Sequence, residues 1–388
     1  MWASRPWHFY GRFHPHGMKQ DQQFEIFLVA TPGLEGPLCA EARACGFKAK
    51  TVPGGVEMKG GWPDVWRANL ELRGAGKVYA RIDSFHVKNL GQLERRAKTV
   101  PWRQVLRKAM PFRVEATCKS SKVYHSGAAE ERIAQAITEQ VDAVPDENAD
   151  VCIKVRIENN ICTVAVDTSG ELLHKRGHKQ AVAKAPMRET MASLFLRQCG
   201  FDGTQTVLDP MCGSGTFVIE AAETASALMP GRARRFAFEK LKGFDDVAWR
   251  AMREAHVASK PAVRFYGSDI DAGAIRMSRE NAERAGVADI TSFQEMDVAD
   301  ITPPEGAAPG IVIINPPYGD RIGNRANLKL LYRTMGDALL KRFSGWRVGL
   351  VTNEEQLAQA TGLPFSLTAE PVLHGGLRIV LYRTGPLP

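Results

Sequence analysis

Apolar and polar positions follow different rhythms in the two halves of this chain. In the first half, Phe24–Ala30 is a short apolar run that ends in a turn at Pro32-Gly33, and Leu34–Cys45 carries helical spacing closed by Gly46. Val52–Met58 reads as a strand with a Gly54-Gly55 turn signal inside it, and Phe112–Cys118 as a further strand. Ala129–Val141 has helical spacing. Val151–Glu158 and Ile161–Asp167 alternate as two strands around Asn159-Asn160, a hairpin signal. These short strands and helices predict an α+β region. The basic stretch His174–Lys184 then reads as a linker or hinge.

The second half alternates strand and helix. Strands are predicted at Thr206–Leu208, Val263–Tyr266, Ile290–Gln294, Ile311–Ile314 and Trp346–Thr352, and helices at Thr216–Leu228, Ala272–Ala285 and Asn327–Phe343. Leu367–Leu373 and Leu377–Arg383 read as a closing hairpin around Gly375-Gly376. The alternation predicts a mostly parallel, doubly wound α/β sheet to which the hairpin adds one antiparallel strand. Ligands in such sheets sit at the carboxyl ends of the strands, so the loops after strands are where chemistry belongs.

Charge sharpens this division. The chain has 388 residues and a net charge of +8, and residues 1–185 hold 28 Lys and Arg against 20 Asp and Glu, whereas residues 186–388 hold 23 of each. The excess is densest from Arg73 to Lys122, with 13 basic and 3 acidic residues. This stretch includes Arg95, Arg96, Lys98, Arg103, Lys119 and Lys122, with Trp102, Phe112 and Tyr124 among or beside them. Basic groups neutralise phosphates and aromatic faces stack on bases, so an RNA surface is expected there; a solvated helix face is the alternative. The seven cysteines are scattered with no Cys-x-x-Cys, which argues against a disulfide framework or a metal site and for a reducing compartment, the cytoplasm. No apolar run is long enough for a membrane helix. Residues 1–17, rich in aromatics and histidine, lack the apolar core of a secretory signal. They read either as a nucleic-acid-touching arm or, the expectation adopted, as a disordered extension upstream of Met18.

Three strand-end motifs carry the candidate chemistry. In Leu208-Asp209-Pro210-Met211-Cys212-Gly213-Ser214-Gly215-Thr216 a strand ends at Asp209, a Gly-x-Gly turn follows and a helix starts. The full dinucleotide fingerprint is missing, because Val218 stands where its third glycine belongs. A carboxylate facing this loop would repel a pyrophosphate and attract ammonium and sulfonium groups, which fits S-adenosylmethionine; a nucleotide or a merely structural turn remain alternatives. In Tyr266-Gly267-Ser268-Asp269-Ile270-Asp271, Asp269 is placed to accept ribose hydroxyls, while Asp271 reads as a helix cap. Downstream, Asp297 could accept from an adenine amine. The third motif, Asn315-Pro316-Pro317-Tyr318-Gly319-Asp320-Arg321, follows a fully apolar strand. Its prolines stiffen the backbone and leave carbonyls facing the site. The Asn315 side-chain oxygen and the Pro316 carbonyl can hold the two hydrogens of a nucleobase amine, and Tyr318 can stack on the flipped base.

With LDPMCGSGT, FYGSDID, NPPYG, the opening IFLVATPGLEGPLCAEA and HKRGHKQAVAKAPMRET in view, the sequence resembles the THUMP-domain class I RNA methyltransferases, most closely the 23S rRNA guanine-N2 methyltransferases, from about Phe24 to the C-terminus. The resemblance implies a disordered extension (1–23), a ferredoxin-like part (24–72), an RNA-binding THUMP domain (73–170), a basic linker (171–190) and a Rossmann-like methyltransferase domain (191–388). It assigns the cofactor to Asp209, Gly213, Gly215, Asp269 and Asp297, with Thr216 and Ile270 in the same segments, and the target amine to Asn315, Pro316, Pro317 and Tyr318. Asp320 stands where the family commonly has glutamate, which leaves that position's role open. Some family members carry a second methyltransferase domain, so one modification rather than two is expected here. Guanine N2 of 23S rRNA is the first expectation, a tRNA guanine the second and adenine N6 the third. A non-catalytic RNA-assembly factor is the reading from another class; the intact Asn315 and Tyr318 speak against it. A cysteine-nucleophile methylase is disfavoured because no thiol follows Cys212.

Overall fold

A computed structural model describes residues 23–179, 187–318 and 325–388. The extension expected before Phe24, the later part of the basic stretch, and Gly319, Asp320 and Arg321 of the third motif lie outside the described residues, save for Gln23. The chain forms two compact units. The first gathers residues up to 29, 39–173 and 234–256; the second gathers 30–38, 174–233 and 257–388.

The first unit is built on one sheet. Its strands are β1 (Phe24–Val29), β2 (Ala49–Val52), β3 (Gly55–Gly60), β4 (Lys77–His86), β5 (Pro111–Lys119), β6 (Val144–Pro145), β7 (Cys152–Glu158) and β8 (Ile161–Asp167). Their order is β2-β3-β1-β4-β8-β7-β5-β6. The segments expected as separate ferredoxin-like and THUMP parts therefore share a sheet, joined by β4, which pairs with β1 through Lys77–Arg81 and with β8 through Tyr79–His86. The helices are α1 (Glu35–Ala44), of which residues 35–38 fall in the second unit, α2 (Trp62–Glu71), α3 (Leu90–Ala97), the short α4 (Trp102–Val105) and α5 (Ser126–Val141). The strand expected over Val52–Met58 is a hairpin instead: Gly54 takes a φ of 78°, and the chain reverses between β2 and β3. Asn159 and Asn160, with φ of 52° and 63°, make the anticipated turn between β7 and β8.

Beyond β8 the chain enters the second unit through residues 174–179, then α6 (Glu189–Gln198), β9 (Val207–Asp209) and α7 (Thr216–Ala225). Residues 174–179 are not a solvated linker. Arg176 is 2% and His178 5% exposed, because the Arg176 guanidinium pairs with buried Glu220 of α7 at 3.1 Å. Residues 234–256, including α8 (Asp246–Glu254), belong to the first unit. The second unit resumes with β10 (Phe265–Asp269), α9 (Ala272–Ala285), β11 (Thr291–Glu295), β12 (Ile311–Ile314), α10 (Arg325–Arg342), β13 (Arg347–Thr352), α11 (Glu355–Ala360), β14 (Phe365–Thr368), β15 (Val372–His374) and β16 (Leu377–Thr384). The main strand order is β11-β10-β9-β12-β13-β16-β14, with β15 pairing to β16. β11, β10, β9, β12 and β13 run parallel to one another. The C-terminal hairpin was expected to add one antiparallel strand. It adds two to the sheet, β16 against β13 and β14 beyond it. Strand order reverses between β9 and β12, so the crevice outside their carboxyl ends is the switch point where ligands bind in such sheets.

Among the described residues no helix is long and apolar enough to cross a membrane, and no cluster of three or more His, Cys, Asp or Glu has metal-holding geometry. All seven cysteines are free thiols.

Candidate active site at the sheet switch point

β9 runs through the core, with Val207 fully buried, and delivers Asp209 to the switch point at 2% exposure. Its Oδ1 accepts a hydrogen bond from Met211 N at 3.1 Å. Burial pushes the carboxyl up to about 8, against that hydrogen bond, and the neighbouring charge of Asp269 adds to the rise. The carboxylate expected here is thus mostly a neutral acid at pH 7.

The two loop glycines have different jobs. Gly213 has a φ of 54°, and a Cβ built on it meets nothing within 4 Å among the described residues, so its backbone faces open space. A Cβ on Gly215 (φ 84°) would lie 3.1 Å from Ser278 Oγ, so this residue permits packing of the loop on α9. The loop is held from below: Ser278 Oγ donates to Gly213 O at 2.8 Å, and Asn281 Nδ2 donates to Ser214 O at 3.1 Å. The Cys212 thiol is buried and pushed far up, as suits a packing residue and not a nucleophile.

Asp269 ends β10 and bridges two loops. Its Oδ2 accepts from Gly213 N at 2.9 Å and its Oδ1 from Asp271 N at 3.0 Å. It therefore shapes the glycine loop as well as offering its remaining lone pairs. Asp271 caps α9, accepting from Gly273 N at 2.7 Å. Ile270 is 70% exposed, an apolar surface beside the loop sequence. Asp297 is exposed after β11, and its Oδ1 accepts from Ala299 N at 2.8 Å. Thr216 opens α7, and its Oγ1 accepts from Lys179 Nζ at 2.8 Å. Lys179 also pairs with Glu189 at 3.1 Å. This half-buried lysine escaped the sequence reading because it lies in a run that looks like basic linker.

Asn315 follows the fully buried β12. Its Oδ1 is buried and has no hydrogen-bond partner among the described residues. A buried acceptor without a donor is costly, and the amine of a substrate base is a donor that would satisfy it. Tyr318 is half-buried against the apolar cluster containing Tyr332 and Leu339, so less of its ring is free for stacking than expected. The turn between these residues is pinned by Tyr332 of α10, whose hydroxyl donates to Pro317 O at 3.2 Å and lies 3.3 Å from Thr352 Oγ1. Nothing in the local sequence pattern marks Tyr332, which looks like one more core aromatic. Tyr332→Phe is expected to lower turnover about tenfold with cofactor affinity unchanged, because it loosens the turn without touching the glycine loop. Comparing kcat with calorimetric cofactor affinity checks this.

The basic residues of the first unit split into two groups. Lys98 pairs with Glu94 and Glu139, Arg103 donates to Gln140 O at 2.8 Å, and Arg96 lies over the Phe85 ring at 5.3 Å. Arg95 and Lys122 are exposed, and Lys119 is exposed with only a 3.7 Å approach to Glu158. Trp102 and Phe112 are fully buried and offer no stacking face. Sequence proximity to arginines misled here, since both rings lie on inward positions of their elements. Tyr124 is 82% exposed.

A parallel sheet with a switch-point crevice, a glycine loop after β9 and an Asn-Pro-Pro-Tyr turn after β12 define a Rossmann-like methyltransferase domain. The chain belongs to the family described as RMKL-like methyltransferase domain, whose model matches residues 176–378. Residues 25–79 match the RlmL ferredoxin-like domain and residues 87–167 the THUMP domain. Ribosomal RNA large subunit methyltransferase K/L of Vibrio campbellii is 30% identical over 348 residues, covering 86% of this chain and 49% of that protein. The chain thus spans about half the length of the curated relatives it matches. Among solved structures, SMU.472 complexed with SAH is 26% identical, with a TM-score of 0.85 over 96% of this chain and 100% of that one. The N6-adenine-specific DNA methylase predicted from Listeria monocytogenes is 28% identical, with a TM-score of 0.86 over 94% of this chain and 97% of that one.

Proposed function

We propose that this protein is an S-adenosylmethionine-dependent RNA methyltransferase acting on an exocyclic amine, with guanine N2 of large-subunit ribosomal RNA as the target. The observation that carries this is the buried Asn315 Oδ1 after β12, which has no hydrogen-bond partner among the described residues and lies next in sheet order to the strand that bears Asp209 and the glycine loop. The cofactor fits the residues present: Gly213 leaves a cradle that a Cβ would fill, and Asp209 and Asp269 offer acceptors to ammonium, sulfonium and ribose groups. Thr216, Ile270 and Asp297 complete the proposed set, Ile270 as an apolar face. The structurally similar SMU.472, complexed with SAH, supports this assignment. Bound there, S-adenosylmethionine supplies an electrophilic methyl group on a sulfonium.

The chain's own residues orient the acceptor. Asn315 Oδ1 and the Pro316 carbonyl take the two amine hydrogens, which turns the nitrogen lone pair out of the base plane. Pro317 and Tyr332 fix the turn, and the half-buried Tyr318 ring contacts the base with its exposed part. No group acts as a strong base, so rate enhancement comes from positioning and preorganised acceptors. Arg95, Lys119 and Lys122 supply phosphate contacts in the first unit; Arg96, Lys98 and Arg103, already engaged, contribute less. The THUMP match and the ribosomal RNA methyltransferase relatives favour RNA over the DNA adenine reading attached to the Listeria protein. Incubating the chain with labelled S-adenosylmethionine and large-subunit ribosomal RNA, then resolving nucleosides by mass spectrometry, tests this: N2-methylguanosine is expected.

Asp209 gives the site a pH dependence. The free chain holds a proton on this carboxyl below about 8. A cationic ligand favours the carboxylate, so binding expels the proton. Cofactor affinity is therefore expected to rise with pH up to about 8 and level off above it. Asp209→Asn should flatten that rise. Calorimetric titration across pH, repeated in buffers of different ionisation enthalpy to count the protons released, checks it.

A further inference from the structure

Three loops meet at one end of the first unit's sheet. β4 leaves through His86–Asn89, β5 leaves through Lys119–His125, and Asn159-Asn160 turns β7 into β8. Asn160 knits them together. Its carbonyl accepts from Val87 N at 2.8 Å, its Oδ1 accepts from Lys122 N at 2.8 Å, and its N donates to Ser121 Oγ at 3.0 Å. Asn159 N also donates to Lys119 O at 3.3 Å. Val123, 3% exposed, pegs the middle loop into the core, and His125 Nδ1 accepts from Ala128 N at 3.0 Å to cap α5. Between these two anchors Tyr124 stands 82% exposed.

The three segments hold Lys88, Lys119 and Lys122 and no acidic residue. Glu158, beside the turn, is shared by Arg156 at 2.7 Å and Lys119 at 3.7 Å, so the local balance stays positive. A ring held in water on a rigid loop between ammonium groups matches one chemistry well. Any nucleobase has a face to stack on it, and the lysines meet the phosphates on either side. Duplex RNA keeps its base faces stacked inside, so the strand must be single. We propose that this end of the sheet holds single-stranded RNA, with Tyr124 stacking on a base and Lys119 and Lys122 contacting flanking phosphates. This rests on the RNA-methyltransferase reading above and adds to it the aromatic platform of the RNA surface.

The test is fluorescence anisotropy of the full chain with a labelled single-stranded oligoribonucleotide of about 12 nucleotides. Tyr124→Ala is expected to weaken binding about tenfold with an unchanged salt slope, and Tyr124→Phe to stay within about twofold. Lys119→Gln with Lys122→Gln should reduce the slope of log affinity against log salt by about 1.4, about 0.7 per lost phosphate contact. All variants should melt within a degree or two of the parent, as surface changes usually do. Unchanged affinity in Tyr124→Ala, or a Phe variant as weak as the Ala variant, overturns the proposal and leaves this face to a protein partner. If the parent chain binds RNA while Tyr124→Ala matches it, only this surface fails. If the parent chain binds no RNA, the RNA reading fails with it.

Discussion

Replacing Asn315 by alanine is expected to lower methyl transfer at least about a hundredfold while S-adenosylmethionine affinity stays within about threefold. The asymmetry follows from where the residue sits. The cofactor residues Asp209, Gly213 and Asp269 belong to β9, β10 and the loop between β9 and α7, and none of them hydrogen-bonds to Asn315. Asn315 caps a strand with no exposed residue, so its amide is aimed by the core and not by a mobile loop. Its oxygen is an acceptor without a donor among the described residues. Removing such a group should leave stability unchanged or slightly raised, because a buried unsatisfied acceptor costs about 1–3 kcal/mol. Single-turnover rates, calorimetric affinity and a melting curve together separate the roles. Loss of rate with lost affinity or lost stability would point to a structural residue.

Trp66→Ala is expected to cost about 3–5 kcal/mol, the largest stability effect of any single change considered. Trp66 of α2 is 1% exposed and central to an aromatic cluster. It stacks on Phe238 at 5.9 Å and meets Phe244 at 5.6 Å and Trp249 at 6.4 Å edge-on. Those three partners come from residues 234–256, which lie in sequence inside the methyltransferase match but fold with the first unit. Phe238 N also donates to Thr168 O at 3.0 Å, and Arg107 donates to Leu241 O. A methyltransferase fragment cut near residue 186 would therefore carry Phe236, Phe238, Phe244 and Trp249 without their partner Trp66, and aggregate. The full chain is the right object for binding experiments. Urea unfolding followed by near-ultraviolet circular dichroism reads the Trp66→Ala loss, and a change below about 1 kcal/mol would contradict this packing argument.

What could be read from sequence, and what could not, follows from how local each signal is. β12 and α9 have the bounds their patterns predict, because one is a continuous apolar run and the other carries an Asp cap and a Gly stop, both local features. The three strand-end motifs were legible for the same reason. β4 was not: its alternation is broken by a bulge between Arg81 and Asp83, and it carries Lys, Arg and Asp. Residues 234–256 pack with the first unit although they lie in sequence inside the methyltransferase range, which position alone could not show because their anchor, Trp66, is remote in sequence. Trp102 and Phe112 were misjudged as stacking faces because neighbouring charge says nothing about which way a ring points. The proton on Asp209 was illegible because it depends on complete burial, which only the folded chain supplies.

The most direct measurement is a crystal structure of the chain with S-adenosylhomocysteine and a guanosine-bearing oligonucleotide. It should show sulfur beside the loop from Asp209 to Gly215 and the guanine amine on Asn315 Oδ1, separated by a gap the width of a methyl group. A base bound away from Asn315, or sulfur lodged where no methyl could bridge the two, would contradict the account.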